Sequence, residues 1–234
     1  MSPQLRLEQE ARLRFSPPAW LKLQFLCHAG GTEVGGFGIS AAADPLYVER
    51  VETVMQGATA ASVEFSDSAV ADHFDRWTDQ GIHAARCGRI WIHTHPGDSP
   101  HPSAVDEETF ARVFGPCDWA LMFILSRTGR TYARLRYGKE PNGSLLLPVS
   151  VDWSEWPASL GGDAQDLTDL CRLWRHEYES NVYNLNGMGA WNAPDLDQTL
   201  ADWDVMGFHE MAEFGMVVRE DEAILAHGGG YEKW

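Results

Sequence analysis

Positive charge is scarce in this chain: 18 Lys and Arg stand against 34 Asp and Glu over 234 residues, a formal net charge of -16. Binding a phosphate backbone needs clustered Lys and Arg, so nucleic acid is not expected as a partner. An acidic surface serves solubility first, and it also favours a partner that carries a basic patch. Nowhere do eighteen apolar residues run together, so no membrane span is expected. Met1 to Arg14 reads as a charged amphipathic segment without an apolar signal core. Cysteine is equally sparse. Cys27, Cys87, Cys117 and Cys171 form no C-x-x-C pair, and a chain of this size does not need disulfide staples. Reduced thiols and a cytoplasmic protein are the expectation. Low-complexity sequence is also missing, whereas 44% of the residues are hydrophobic and ten are Trp, a composition that demands a packed core.

The apolar periodicity places a helix over Ala19 to His28, opened by Pro17-Pro18 and ended by Gly30-Gly31, followed by a buried strand from Val34 to Ser40. Further strands are expected over Tyr47–Val54 and Ala61–Phe65. A helix then runs from Ser66 to about Gln80 with Val70, Phe74 and Trp77 on one face. Strands over Arg89–Thr94, Trp119–Ser126 and Thr131–Tyr137 enclose a helix at Ala104–Phe114. Strands and helices mixed in this irregular order indicate an α/β or α+β layer structure with a mixed sheet. The character changes near Val151. Residues 151–234 are rich in Asp, Glu and Trp and punctuated by glycines, as an extension that either packs on the domain of residues 1–150 or recognises a partner. Within it Asp166–Tyr178 is a plausible helix, Tyr183–Asp197 is turn-rich, and Gly228-Gly229-Gly230 reads as flexible chain.

Chemistry concentrates in Ile90-Trp91-Ile92-His93-Thr94-His95. Period-two alternation sends His93 and His95 out of the same strand face, roughly 7 Å apart along the backbone, where two imidazoles can converge on one ion. Pro96 stops the strand, and the loop from Gly97 to Pro102 leads to Ser103, a natural N-cap that puts Asp106 in the first turn of the next helix. Two nitrogens and one oxygen leave a fourth tetrahedral position for water, as catalytic zinc sites require. Ser103-x-x-Asp106 taken alone is also an ordinary capping box. Other candidates are weaker. His101 and Asp98 sit in the same loop, where most polar residues are simply solvated. Cys117 has no neighbouring His to make it a nucleophile, and His209-Glu210-x-x-Glu213 lacks the second His of a helical zinc box.

His93-x-His95, then seven residues, Ser103, two residues and Asp106, with Glu33 far upstream in Glu33-Val34-Gly35-Gly36-Phe37-Gly38, resembles the signature of the JAMM (JAB1/MPN/Mov34) metalloproteases. The resemblance covers about Leu21 to Tyr137. It implies a JAMM/MPN-type mixed β-sheet flanked by helices in cytidine-deaminase-like layering, with residues 1–150 as the metallopeptidase domain. By the same resemblance His93, His95 and Asp106 would ligate Zn2+, Glu33 would act as general base and acid, and Ser103 would stabilise a tetrahedral oxyanion. The short distance from Asp106 to Trp119 leaves little room for the second insertion of ubiquitin-chain-specific members, so the chain looks like the prokaryotic branch. The implied activity is hydrolysis after the C-terminal glycine of a ubiquitin-like protein or its conjugate. A sulfur-carrier-protein or small-peptide hydrolase is the alternative within enzymes, and an MPN-like scaffold is the alternative without catalysis.

Overall fold

The computed structural model describes residues 11–138, 143–155 and 164–186. Much of the Trp-rich stretch, the His209 segment and Gly228–Gly230 lie outside them. Eight strands form a mixed sheet: β1 (Leu13–Phe15), β2 (Val34–Ser40), β3 (Tyr47–Thr53), β6 (Ile90–His95), β7 (Trp119–Ser126), β8 (Thr131–Tyr137), β9 (Gly143–Leu146) and β10 (Val149–Val151). Their order is β10-β1-β3-β2-β6-β7-β8-β9. A smaller sheet joins β4 (Gln56–Ala58), β5 (Val63–Phe65) and β11 (Val182–Asn184) in the order β11-β4-β5. The described helices are α1 (Pro17–His28), α2 (Asp67–Asp79), α3 (Ala84–Cys87), α4 (Ala104–Phe114) and α5 (Ala164–Asn181). The expected mixed α/β class is therefore what forms.

Alternation along the central strands divides the core into two layers. Ile90, Ile92, Leu121, Phe123 and Leu125 pack with Trp20, Leu23 and Cys27 of α1 on one face. On the other, Trp91, Ala120, Met122 and Ile124 pack with Phe110 and Phe114 of α4, with Val70 of α2 alongside. Because β6 runs Ile-Trp-Ile-His-Thr-His, the parity that buries Trp91 under α4 also delivers His93 and His95 to that face. Helix α1 starts where it should. Ser16 accepts a hydrogen bond from the Ala19 amide, and the two prolines fill positions whose amides need no intrahelical partner.

Several short elements were not expected from the sequence. Leu13–Phe15 lies in or beside the segment read only as charged and amphipathic, yet Leu13 and Phe15 are fully buried as β1, parallel to both β10 and β3. Strand β4 and helix α3 were also missed, and Val182–Asn184, placed in a turn-rich stretch, pairs parallel with β4. Strands of three residues carry too little periodicity to be read and are held by neighbours distant in sequence. All four cysteines are free, and no described helix is long and apolar enough to cross a membrane.

Helix α5 packs on α1 and the edge of β3. Leu167, Cys171, Trp174 and Tyr178 join Leu21, Phe25 and Leu26 in one buried cluster, with the Trp174 ring 5.9 Å from that of Phe25. Beyond the two residues paired with β1, the outer edge of β3 is met by side chains. Glu177 accepts from the Thr53 amide at 2.9 Å, Asn181 donates to the Thr53 carbonyl at 3.2 Å, and Lys22 donates to the Val51 carbonyl at 2.7 Å. Truncating so large a buried ring leaves a cavity, so Trp174→Ala should lower the unfolding free energy by about 3–5 kcal/mol. Denaturant titration should show that loss as a shift of a single transition, and an unshifted midpoint would refute the packing of α5 as a stabilising contact.

Candidate metal centre

The site lies at the end of the sheet where β6 finishes and β2 begins. In the antiparallel pairing of these strands Val34 faces Thr94 and Gly35 faces His93. Continuing that register by one step brings Glu33, just ahead of β2, opposite His95. The contact is observed: Glu33 Oε1 is 3.6 Å from His95 Nε2. Helix α4 completes the group from above, with Asp106 Oδ1 3.3 Å from His93 Nε2 and Oδ2 3.7 Å from His95 Nε2. One ligand atom from each of Glu33, His93, His95 and Asp106 lies within 4.8 Å of the others, and all four residues reach the site from buried or nearly buried positions. Sequence segments some sixty and ten residues apart thus converge on a volume the size of one ion.

Hydrogen bonds around the cluster set which atoms face inward. The His95 Nδ1 is 2.9 Å from the Ser99 carbonyl, which can only accept, so Nδ1 carries the proton and the Nε2 lone pair points to the centre. Asp106 Oδ2 accepts from both the amide and the hydroxyl of Ser103, each at 2.7 Å, leaving Oδ1 turned toward His93. The Ser103 hydroxyl accepts in return from the Asp106 amide at 3.2 Å, closing a capping box. The capping-box reading of Ser103-x-x-Asp106 is what forms, and the carboxylate it holds is one of the four side chains that could bind a metal ion. The single hydroxyl proton of Ser103 is engaged with Asp106.

Several polar atoms of the cluster lack partners. Glu33 Oε2, both ring nitrogens of His93 and His95 Nε2 are buried without a hydrogen bond among the described residues. Orphaned buried groups of this kind are rare, because each forfeits its hydration. Four of them in one cluster, with a nitrogen and oxygen donor set and no sulfur, fit a divalent cation of borderline or hard character. The protonation of His93 and Asp106 agrees with that. Burial holds the His93 imidazole below its usual range and so neutral. Burial alone would push the Asp106 carboxyl up, but contacts with His93 and His95 and the Ser103 amide outweigh it and hold Asp106 well below the usual carboxylate range. For His95 burial opposes the cation, yet Asp106, the Ser99 carbonyl and Glu33 together raise it. Glu33 is pushed up to about 7, chiefly by burial, with His95 opposing and Asp106 adding to the rise.

Two features were not legible beforehand. Ser99, which orients His95 through its backbone, has no side-chain signature to read. Gln56 binds the backbone beside Glu33 through a gap in the sheet and is separated from it by a whole strand pair. Among residues singled out earlier, His101 and Asp98 are exposed and outside the cluster. His101 sits edge-on to Tyr132 at 6.1 Å, and the Asp98 carbonyl accepts from Thr128. Cys117 is half-buried against the α4 layer. Glu52 and Glu64 lie on strands, as expected, away from the four-residue group.

Divalent cations should raise the melting temperature of the metal-stripped protein in a one-to-one titration, and His93→Ala should abolish that rise; an equal shift in the variant would exclude this cluster as the binding site. The metal-free protein should also show a pH-dependent cost from Glu33. Its folded pKa, about 7, exceeds the ordinary value of 4.5 that it has in the unfolded chain. Below pH 4.5 both states hold the proton and no penalty exists; as pH rises toward 7 the folded state increasingly loses by comparison. Glu33→Gln should accordingly leave stability unchanged near pH 4 and become stabilising above pH 7, as read by urea denaturation at the two pH values. A scan of the chain against protein-family models and a search of curated proteins find no match.

Proposed function

We propose that this chain is a zinc-dependent peptidase or isopeptidase of the JAMM type, hydrolysing the bond after the C-terminal glycine of a ubiquitin-like protein. The observation that carries the reading is the convergence of Glu33, His93, His95 and Asp106 with their ligand atoms mutually within 4.8 Å. Three of these side chains suffice to hold the ion, and the fourth is left to move protons. The helices on both faces of the mixed sheet suit the layering that this family implies. A catalytically silent scaffold would have no use for a carboxylate oxygen and imidazole nitrogens kept buried and unpartnered.

His93, His95 and Asp106 would hold the zinc, which when bound lowers the pKa of a water to about 7 and polarises a carbonyl. Glu33 serves as the proton carrier. Its Oε2 has no competing donor, and an affinity near neutrality lets it both take a proton from the attacking water and return one. As the water oxygen bonds to the glycine carbonyl carbon, Glu33 receives the water proton; as the C–N bond breaks, it delivers that proton to the leaving amine. Ser103 holds Asp106 while its hydroxyl donates to Oδ2. The Ser103 amide, which also donates to Oδ2, can keep Asp106 in place if the hydroxyl turns to the developing oxyanion. A substrate tail ending in glycines has no side chains to clear and could approach as an added strand. The reduced cysteines and acidic surface suit the cytoplasm.

Glu33→Gln removes the proton carrier without removing a ligand. It should retain stoichiometric zinc while turnover of diglycine-tailed fusions or isopeptide conjugates falls by about 100- to 10,000-fold. Wild-type-like turnover in that variant, measured with zinc content verified, would rule out Glu33 as the base.

A further inference from the structure

Strand β3 stops pairing with β2 at Thr53, opposite Gly36, and the chain then leaves for the β4–β5 hairpin. On that side of β2 the next backbone groups belong to Gly35, and no strand residue faces them. The side-chain amide of Gln56 fills the gap. Its Oε1 accepts from the Gly35 amide at 2.7 Å, and its Nε2 donates to the Gly35 carbonyl at 2.8 Å and the Val54 carbonyl at 2.7 Å. Gln56 is 1% exposed, so none of these groups has water as an alternative. One step further along β2, the Glu33 amide donates to the Thr59 carbonyl at 2.7 Å. The ladder therefore runs from β3 through one side chain to the hairpin, and ends on Glu33.

The close approach needs Gly35. A Cβ there would come within 2.6 Å of the Phe65 ring, so a larger residue would lift the hairpin from β2. Gln is equally particular at position 56. Only a planar amide at that reach offers one acceptor and two donor hydrogens; Glu lacks the donors and Asn is a methylene shorter.

We propose that Gln56 is a positioning residue for Glu33, bridging the gap between β3 and the hairpin so that the Glu33 carboxylate is held against the ligand cluster. The role rests on the reading of Glu33 as the proton carrier. The Gln56 side chain bonds to Gly35 and Val54 and not to the ligand atoms or Glu33, so it should affect the geometry of proton transfer and leave metal affinity alone.

Three measurements test this. In the wild-type full chain, hydrogen exchange of the Glu33 and Gly35 amides should be slow, in the class of Phe37; exchange as fast as that of the exposed Gly31 amide overturns the proposal without any variant. In Gln56→Met, which keeps the length and removes the polar atoms, those two amides should exchange at least about tenfold faster. Zinc affinity by chelator competition should stay within about threefold, and kcat should fall about 100-fold with little change in KM. Leu147→Ala, a core truncation remote from the site, supplies the comparison for lost stability and should keep its kcat. A kcat loss of equal size in Leu147→Ala, or loss of zinc binding in Gln56→Met, overturns the positioning role. If the zinc-loaded wild type cleaves no glycine-tailed substrate, the reading of Glu33 fails, and the exchange rates alone decide whether Gln56 holds that segment.

Discussion

The site depends on keeping two imidazoles and two carboxylates out of water while atoms of Glu33, His93 and His95 go without a hydrogen bond. Burying even one such group without a partner costs roughly 1–3 kcal/mol, and here four partnerless atoms sit together. Such a cluster persists only if the scaffold over-determines it. The scaffold does so with backbone: a two-strand register fixes Glu33 across from His95, a carbonyl fixes the His95 tautomer, and a helix cap fixes Asp106. His95 Nδ1 and Asp106 Oδ2 are tied by hydrogen bonds, whereas His93 Nδ1 has none and the His93 ring packs on Trp91 with centroids 4.6 Å apart.

How far the sequence could be read follows from how local each contact is. The period-two pattern of Ile90–His95 fixed both the strand and the face from which its histidines emerge, because parity is a property of neighbours. Ser103 and Asp106 were readable for the same reason, since a cap spans a single turn. The approach of Glu33 was not readable from its own surroundings, as Glu49, Glu52 and Glu64 lie on strands and look no different in the sequence; only the resemblance singled it out. Gln56 left no trace at all. Its partners are a glycine backbone twenty-one residues earlier and a carbonyl two residues before it, and no propensity or periodicity records a side chain standing in for a strand.

The fold shows the same division. Long elements with many apolar repeats, such as Trp119–Ser126 and Ala104–Phe114, have the limits that periodicity gave them. The three-residue strands β1, β4, β10 and β11 exist because a distant segment offers a ladder, and all four pair in parallel with a strand far away in sequence. Beyond Val151 the sequence left open whether the extension packs on the domain or meets a partner. Its described helix buries Trp174 and Tyr178 against α1.

That helix also has a consequence for recognition. Where β1 ends, β3 would offer bare amides and carbonyls to any passing strand, the usual hazard of a sheet border. Glu177, Asn181 and Lys22 occupy those groups instead. A guest polypeptide seeking to lengthen the sheet finds that flank already taken by its host's own side chains, and must be received somewhere else along the rim.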